Sequence, residues 1–288
     1  MTLIELVNDS AARLEQAGVA FGHGTTNAFD EAAWLVLWGL GLPLDELDAV
    51  AALAVSPQQR ASVEQLVGER IRTRKPAAYL TREAWLQGVP FYIDERSIVP
   101  RSFIAELLAG GDLDAWLQTP QGRILDLCTG NGSLAVLAAM AYPEAAVDAA
   151  DISADALAVA RINLEKHQLQ ERIHLIESDG LAAVPGRYDL ILCNPPYVNA
   201  DSMAQLPPEY RAEPALALAG GVDGMDFVRR LLREAPAHMN AGAALVLEIG
   251  NERAHFDAAF PQLAAIWLDT SAGGDQVLLL TREALERP

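Results

Sequence analysis

Apolar residues recur at helical spacing over the first 75 positions. Leu3, Leu6, Val7 and Leu14 form one stripe, Ala33, Trp34, Leu37 and Leu40 a second, and Val63, Leu66, Val67 and Ile71 a third. These stripes predict three amphipathic helices. Asn27 is a cap for the second, and Asp30 and Glu31 fall in its first turn, where a helix N-terminus favours negative charge. The stretch GVAFGHGTTNA between the first two helices reads as loop. The period changes near residue 76: within AAYLTREAWLQGVPFYIDERSIVPR, two β-like runs meet at Gln87-Gly88, a hairpin signal. From Arg123 strand and helix alternate. RILDLC is followed by a helix through Met140, AAVDAADI by the helix SADALAVARINLEKHQ with Ser153 as cap, and IHLIESD by YDLILCN; then come a helix from Asp226 to His238, ALVLEIG and QVLLLTR. That alternation predicts βαβ units and a parallel sheet covered on both faces. The chain is thus expected to divide into a helical recognition unit over 1–75, a β-hairpin linker over 76–99 and an α/β domain over 100–288.

Composition adds a soluble class: 51% hydrophobic and 21% charged residues describe a globular chain with ample core. No apolar run reaches the roughly 18 residues of a membrane span, and MTLIELVNDS lacks the basic start of a signal peptide, so a cytoplasmic location without a membrane partner is expected. The two cysteines, Cys128 and Cys193, form no CxxC pair, which points away from a disulfide framework and from a structural metal site. Each ends a strand, as a small buried hydrophobe or a pocket lining. Charge narrows the partners. The net charge is −18, with 8 basic against 13 acidic residues in positions 1–99 and 13 against 26 in the remainder. Such a surface repels nucleic acid and attracts a basic protein.

Polar residues cluster where the strands end. DLCTGNGS, from Asp126 to Ser133, closes the first strand of the alternation with a G-x-G turn at Gly130 and Gly132, which lets backbone N–H groups approach a ligand. The second strand ends at Asp151, a carboxylate placed either for ribose hydroxyls or as a charge at the following helix start. Ser178-Asp179-Gly180 ends the third, facing an adenine edge or serving as a plain turn. Asn194-Pro195-Pro196-Tyr197 ends the fourth; each proline fixes its own φ and holds the residue before it extended. Ligands of open α/β sheets bind at this edge, and without a third glycine the turn suits a cofactor lacking phosphates better than NAD.

D-x-C-x-G-x-G, a strand-ending acid and N-P-P-Y together resemble the class I S-adenosylmethionine-dependent methyltransferases that act on planar nitrogen. The resemblance implies a Rossmann-like, seven-stranded, mostly parallel sheet whose last strand, QVLLLTR after Gly273-Gly274, runs antiparallel. It implies S-adenosyl-L-methionine as cofactor and S-adenosyl-L-homocysteine as product. The cofactor contacts would come from Asp126, Cys128, Thr129, Gly130 and Gly132 in the first turn, from Asp151, Ile152, Ser178 and Asp179 at the next strand ends, and from Asn194 and Arg101. Asn194, Pro195, Pro196 and Tyr197 would be catalytic: the Asn194 side-chain carbonyl and the Pro195 backbone carbonyl each accept an N–H of the acceptor, and Tyr197 packs on its planar group. Positioning and electrostatics then suffice without a strong general base.

Nearly the whole chain resembles the protein-glutamine N5-methyltransferases of the translation machinery. VPRSFIAEL replaces the P-R-P-E-T-type segment of the release-factor enzymes; with RKPAAYLTREAW, FYIDER and GHGT at Gly22 to Thr25, it resembles the branch that modifies the third protein of the large ribosomal subunit. Phe103 departs from that branch, which more often has proline there. The implied partner is a basic ribosomal protein. Glutamine methylation of a release factor, amino-methylation of a nucleic-acid base, and a noncatalytic ribosome-assembly module are the alternatives. Arg101 and Glu106 are expected to border the site, His23 to stabilise its own loop, and residues 205–226, including Glu213-Pro214 and Gly220 to Gly224, to form a lid or plain connection.

Overall fold

A computed structural model describes residues 1–117 and 119–286. The first helices are α1 (Leu3–Gln16), α2 (Ala28–Leu40), the short α3 (Leu47–Val50) and α4 (Pro57–Thr73). Side chains at their starts satisfy backbone N–H groups that helices leave unpaired: Thr2 and Ser56 form capping boxes with Glu5 and Gln59, and Asn27 caps α2. Leu3, Leu6, Val7 and Leu14 are buried with Leu37, Val63 and Val67, so the three stripes meet in one core. At about 1.5–3 kcal/mol for each buried Leu or Val, this contact outweighs helix propensity.

The two runs expected around Gln87-Gly88 are present, but the stretch ahead of them is not extended. Ala77–Thr81 is a helical turn, α5, and the first strand begins only at Glu83. Alanines after Pro76 favour helix, and the Thr81 hydroxyl donates back to the Ala77 carbonyl at 3.0 Å. β1 (Glu83–Leu86) and β2 (Val89–Tyr92) pair antiparallel across Gln87-Gly88, whose φ angles of 50° and 73° suit a tight hairpin turn. Asn163 ties this hairpin to the rest of the chain: its side chain accepts from Tyr92 N at 2.7 Å and donates to Tyr92 O and Asn131 O.

Beyond α6 (Ile104–Gly110) the chain builds β3 (Arg123–Leu127), α7 (Ser133–Ala141), β4 (Ala146–Asp151), α8 (Ala154–Lys166), β5 (Ile173–Glu177) and β6 (Tyr188–Cys193). Then follow α9 (Ala200–Gln205), α10 (Asp226–Glu234), β7 (Met239–Glu248), α11 (Arg253–Ala259), β8 (Ile266–Thr270), β9 (Gly273–Thr281) and α12 (Arg282–Leu285). The sheet has seven strands in the order β5-β4-β3-β6-β7-β9-β8; β9 runs antiparallel to β7 and β8, and the other neighbours are parallel. Strand β8 is not among the runs named from the sequence. It forms a hairpin with β9 through Ser271-Ala272, so Gly273 and Gly274 lie within β9 instead of preceding it. Alternation along the central strands divides their side chains between two cores: Ile124, Leu190, Leu192 and Val246 face one, Leu125, Ile191, Leu245 and Leu247 the other. Strand order reverses between β3 and β6, the place where open α/β sheets leave a crevice.

Candidate active site

The crevice is a cavity of about 710 Å³ at the carboxyl ends of β3, β4 and β6, walled on its far side by residues 206–221. At its β3 end the chain leaves the strand through Cys128, whose φ of 62° is uncommon for a residue with a side chain. Cys128, Thr129 and Gly130 line the cavity, whereas Cys193, one strand over, is fully buried behind it. Asp126 does not reach the cavity. Its buried carboxylate accepts from the Thr129 hydroxyl at 2.5 Å and from Ala135 N at 2.9 Å, bracing the turn and the start of α7 from below. Burial pushes its pKa up to about 7, against the lowering pull of those two bonds. Gly132 caps α7 and also lies outside the wall.

Asp151 stands both at the start of the following helix and in the lining of the cavity. One carboxylate oxygen accepts from Gly130 N at 2.8 Å and the other from Ser153 N at 2.9 Å, which joins the G-x-G turn to the end of β4. Each oxygen has further acceptor capacity, and Asp151 lines the cavity beside the half-exposed Ile152. Burial raises its pKa while the backbone donors lower it. Ser178 lines the cavity and also closes its own turn: its hydroxyl donates to Gly180 O at 2.8 Å and accepts from Ala183 N at 2.9 Å. Asp179 pairs with Arg230 at 2.5 Å, and both stand in the wall.

The other half of the cavity is built on Asn194, Pro195, Pro196 and Tyr197, which follow β6 directly and all line it. The Asn194 side chain makes no hydrogen bond to the described residues, although strand and prolines hold its backbone rigid. Tyr197 turns back under the end of β7, its hydroxyl 3.4 Å from Glu248 Oε1. Glu248 also accepts from the Ser102 hydroxyl at 2.6 Å and from Phe103 N at 2.9 Å. Burial raises the Glu248 carboxyl to about 7 and pushes the Tyr197 phenol further above its ordinary range, so the phenol stays protonated. Glu248 was not singled out in the sequence, although an acid ending the buried run LVLE is a readable signal.

Segment 205–226 forms the opposing wall. Val198 N donates to Leu218 O at 2.8 Å and Gly220 N to Val198 O at 2.9 Å, so the segment is pinned to the residue after Tyr197. Arg101 lines the cavity and grips Glu213 of this segment with both terminal nitrogens at 2.7 Å. Burial by itself would raise the Glu213 carboxyl, but Arg101 and His23 overcome it and hold its pKa at about 2. Glu106, by contrast, lies away from the cavity. On α6 it accepts from Ser271 N and Oγ at 2.8 and 2.6 Å, tying that helix to the β8–β9 turn. Nor does His23 serve only its own loop: its Nε2 stands 3.3 Å from Glu213 Oε2.

Comparison with known proteins points one way. Residues 112–206 match the Methyltransferase small domain family. The chain is 55% identical over 287 residues to the ribosomal protein uL3 glutamine methyltransferase of Bordetella pertussis, covering 99% of this chain and 96% of that one. It is 53% identical to the protein of the same name from Burkholderia pseudomallei, with 97% and 94% covered. The counterpart from Neisseria meningitidis serogroup B is 46% identical, with 99% and 94% covered. Among solved structures, the hMettl16 catalytic domain in complex with a MAT2A 3′UTR hairpin superposes with a TM-score of 0.53 at 12% identity, covering 78% of this chain and 81% of that one. That likeness concerns the fold alone.

Proposed function

The chain belongs to the ribosomal protein uL3 glutamine methyltransferases, and from that premise we propose how its residues methylate the side-chain nitrogen of a uL3 glutamine. The observation that carries the reading is the Asn194 amide, which lines the cavity on a backbone fixed by β6 and two prolines and has no hydrogen-bond partner among the described residues. An amide nitrogen is a poor nucleophile because its lone pair is delocalised into the carbonyl. Asn194 Oδ1 and the Pro195 carbonyl, which proline geometry fixes beside it, are the acceptors for the two N–H bonds of the glutamine amide. Holding both N–H bonds aims the nitrogen lone pair and favours its pyramidal form. Tyr197 packs on the planar amide while its hydroxyl is tethered to Glu248. No side chain has to abstract a proton before transfer; the methylated nitrogen, strongly acidic while it carries its surplus proton, releases that proton to water afterwards.

S-adenosylmethionine, when bound, supplies the sulfonium methyl. The residues fit it: the Asp151 carboxylate has acceptor capacity left for ribose hydroxyls, Ile152 offers an apolar face for adenine, and Cys128 to Gly130 bring backbone close to the cavity without a phosphate cradle. Asp126 acts on the same site at one remove, by holding Thr129 and α7 in place. Arg101 is a wall residue that fixes Glu213. We assign the division of labour in the chain as a helical unit that meets uL3, a hairpin linker and a catalytic unit from residue 100 onward. The net charge of −18 favours a basic protein over nucleic acid as partner. No helix of the described residues is long and apolar enough to cross a membrane, which accords with action in the cytoplasm.

The test is methyl transfer from labelled S-adenosylmethionine to purified uL3 and, separately, to a release factor, with mass spectrometry locating the product. Label on a glutamine of uL3 alone is the expected outcome. Asn194→Ala should lower kcat by about 10²–10³-fold, the usual cost of one lost transition-state hydrogen-bonding group, while calorimetry finds S-adenosylhomocysteine binding unchanged.

A further inference from the structure

The loop Gly22-His23-Gly24-Thr25 has no part in the chemistry above, yet His23 is only 2% exposed and sits against the wall of the cavity. Its ring centroid lies 4.3 Å from that of Tyr210, and its Nε2 lies 3.3 Å from Glu213 Oε2. Tyr210 lines the cavity and has the Arg101 guanidinium 5.5 Å from its ring centroid, so imidazole and guanidinium both bear on the ring. The approach is close: a Cβ on Gly22 would stand 2.2 Å from the Tyr210 hydroxyl oxygen, so only glycine leaves the ring its place.

The loop is itself fastened. Gly22 N donates to Thr25 O at 2.8 Å, Thr25 Oγ1 to Glu31 at 3.3 Å, and Glu31 is paired at 2.7 Å with Arg70, which is fully buried. Arg70 and Arg74 reach on to Glu209, at 3.3 and 2.6 Å, and Ala20 N donates to the same carboxylate at 3.2 Å. Two carboxylates of the lid therefore reach the helical unit, Glu209 through Arg70, Arg74 and Ala20 N and Glu213 through His23, with Tyr210 between them; Glu213 is also held from outside that unit by Arg101 and by Val99 N at 3.0 Å. Both side chains are wholly shielded from solvent, and removing one partner of such a pair leaves the other charge buried and unpaired. Nothing in this arrangement is needed to end a strand or start a helix. What it fixes is the position of Tyr210 in the cavity wall.

Building on the glutamine-methyltransferase reading, we propose that His23 is a positioning residue for methyl transfer: through Tyr210 and Glu213 it holds the lid against the acceptor half of the cavity and so makes the helical unit part of the reacting site. The cofactor half, formed by the ends of β3 and β4, is outside its reach. Loss of His23 should therefore act on the protein substrate and spare cofactor binding.

The experiment uses the full chain carrying His23→Ala or His23→Gln. It measures kcat/KM with uL3 as the varied substrate, S-adenosylhomocysteine affinity by calorimetry, and amide exchange of residues 206–219. For His23→Ala we expect kcat/KM to fall about 10- to 100-fold, as for a misplaced acceptor. The lid amides should exchange at least about tenfold faster, with cofactor affinity within about twofold of the parent. His23→Gln, which keeps a polar N–H group within reach of Glu213, should recover most of both losses. If His23→Ala does not fold, Tyr210→Leu, which keeps the Glu213 pairs, is expected to give the same selective loss. Unchanged lid exchange and kcat/KM, or an equal fall in cofactor affinity, overturns the proposal. The exchange measurement needs no turnover, so a parent protein that never labels uL3 overturns the proposed function while the role of His23 in holding the lid is still decided.

Discussion

Asn194 and Glu248 stand at the ends of neighbouring strands β6 and β7 and meet opposite demands. Asn194 lines the cavity with no hydrogen-bond partner for its side chain among the described residues, whereas Glu248 is enclosed by Ser102, Phe103 and Tyr197. Its carboxyl, with a pKa of about 7 against an ordinary 4.5, holds a proton in the folded chain that the unfolded chain has already released. Stability therefore declines as pH rises through that interval, and Asp126, also raised to about 7, acts in the same direction. Glu248→Gln should flatten the decline and stabilise the cofactor-free protein at pH 8 by on the order of 1–3 kcal/mol; a series of melting curves from pH 5 to 8 measures it. Glu213 has the reverse sign. With a pKa of about 2 in the folded state, its contribution is complete above about 4.5 and disappears as pH falls toward 2. A Glu213→Gln protein should show a shallower acid limb in the same melting curves.

Elements carry these residues to their places with different degrees of legibility. The three helical stripes and the strands β3, β4, β6 and β7 could be read because burial imposes a period of 3.6 or 2. Their ends could be read too, since Gly130, Asp151 and Asn194 are types that rarely end a strand without cause. β8 escaped because, at the sheet edge, only one side of Ile266–Thr270 pairs and its residues are half-exposed, so alternation is weak. Asp126 reads as a ligand contact because a sequence says that a polar residue ends a strand but not which side of the turn it faces, and this one faces α7 and not the cavity. Glu106, in the segment compared with the release-factor enzymes, turned out to serve α6. Segment 205–226 has no period to read: Glu209, Tyr210 and Glu213 are ordered by partners 109 to 190 residues away, and no local pattern announces that. One element contact invites a direct test. Gly250, just beyond β7, has φ 51°, and a Cβ there would come within 2.6 Å of the Tyr197 ring. Gly250→Ala should cost about 1–3 kcal/mol of stability through backbone strain alone and, by displacing Tyr197, lower kcat more than cofactor affinity; urea melts and calorimetry report the two effects separately.

At the scale of the whole molecule charge and connectivity dominate. Both parts of the chain are acidic, −5 over residues 1–99 and −13 over the rest, so a basic partner is drawn in whichever side it approaches. kcat/KM for uL3 should fall several-fold between 0.05 and 0.3 M salt, roughly as the screening length shrinks from 13 to 6 Å, while kcat at saturation stays level; a rate indifferent to salt would leave the acidity without this role. The buried pairs that join Arg70 and Arg74 to Glu209 have a different consequence, which concerns time. Arg70 and Glu209 are 139 residues apart in the chain. During synthesis at about 5–20 residues per second, the N-terminal helices are complete roughly 7–28 s before their acidic counterpart exists. Until then the two arginines have only part of their partners, and the crevice at the strand ends has no far side. A chain released short of residue 213 would lack Glu213 together with β7, β8 and β9, so that β6 would have no neighbour on one side and the crevice only part of its wall.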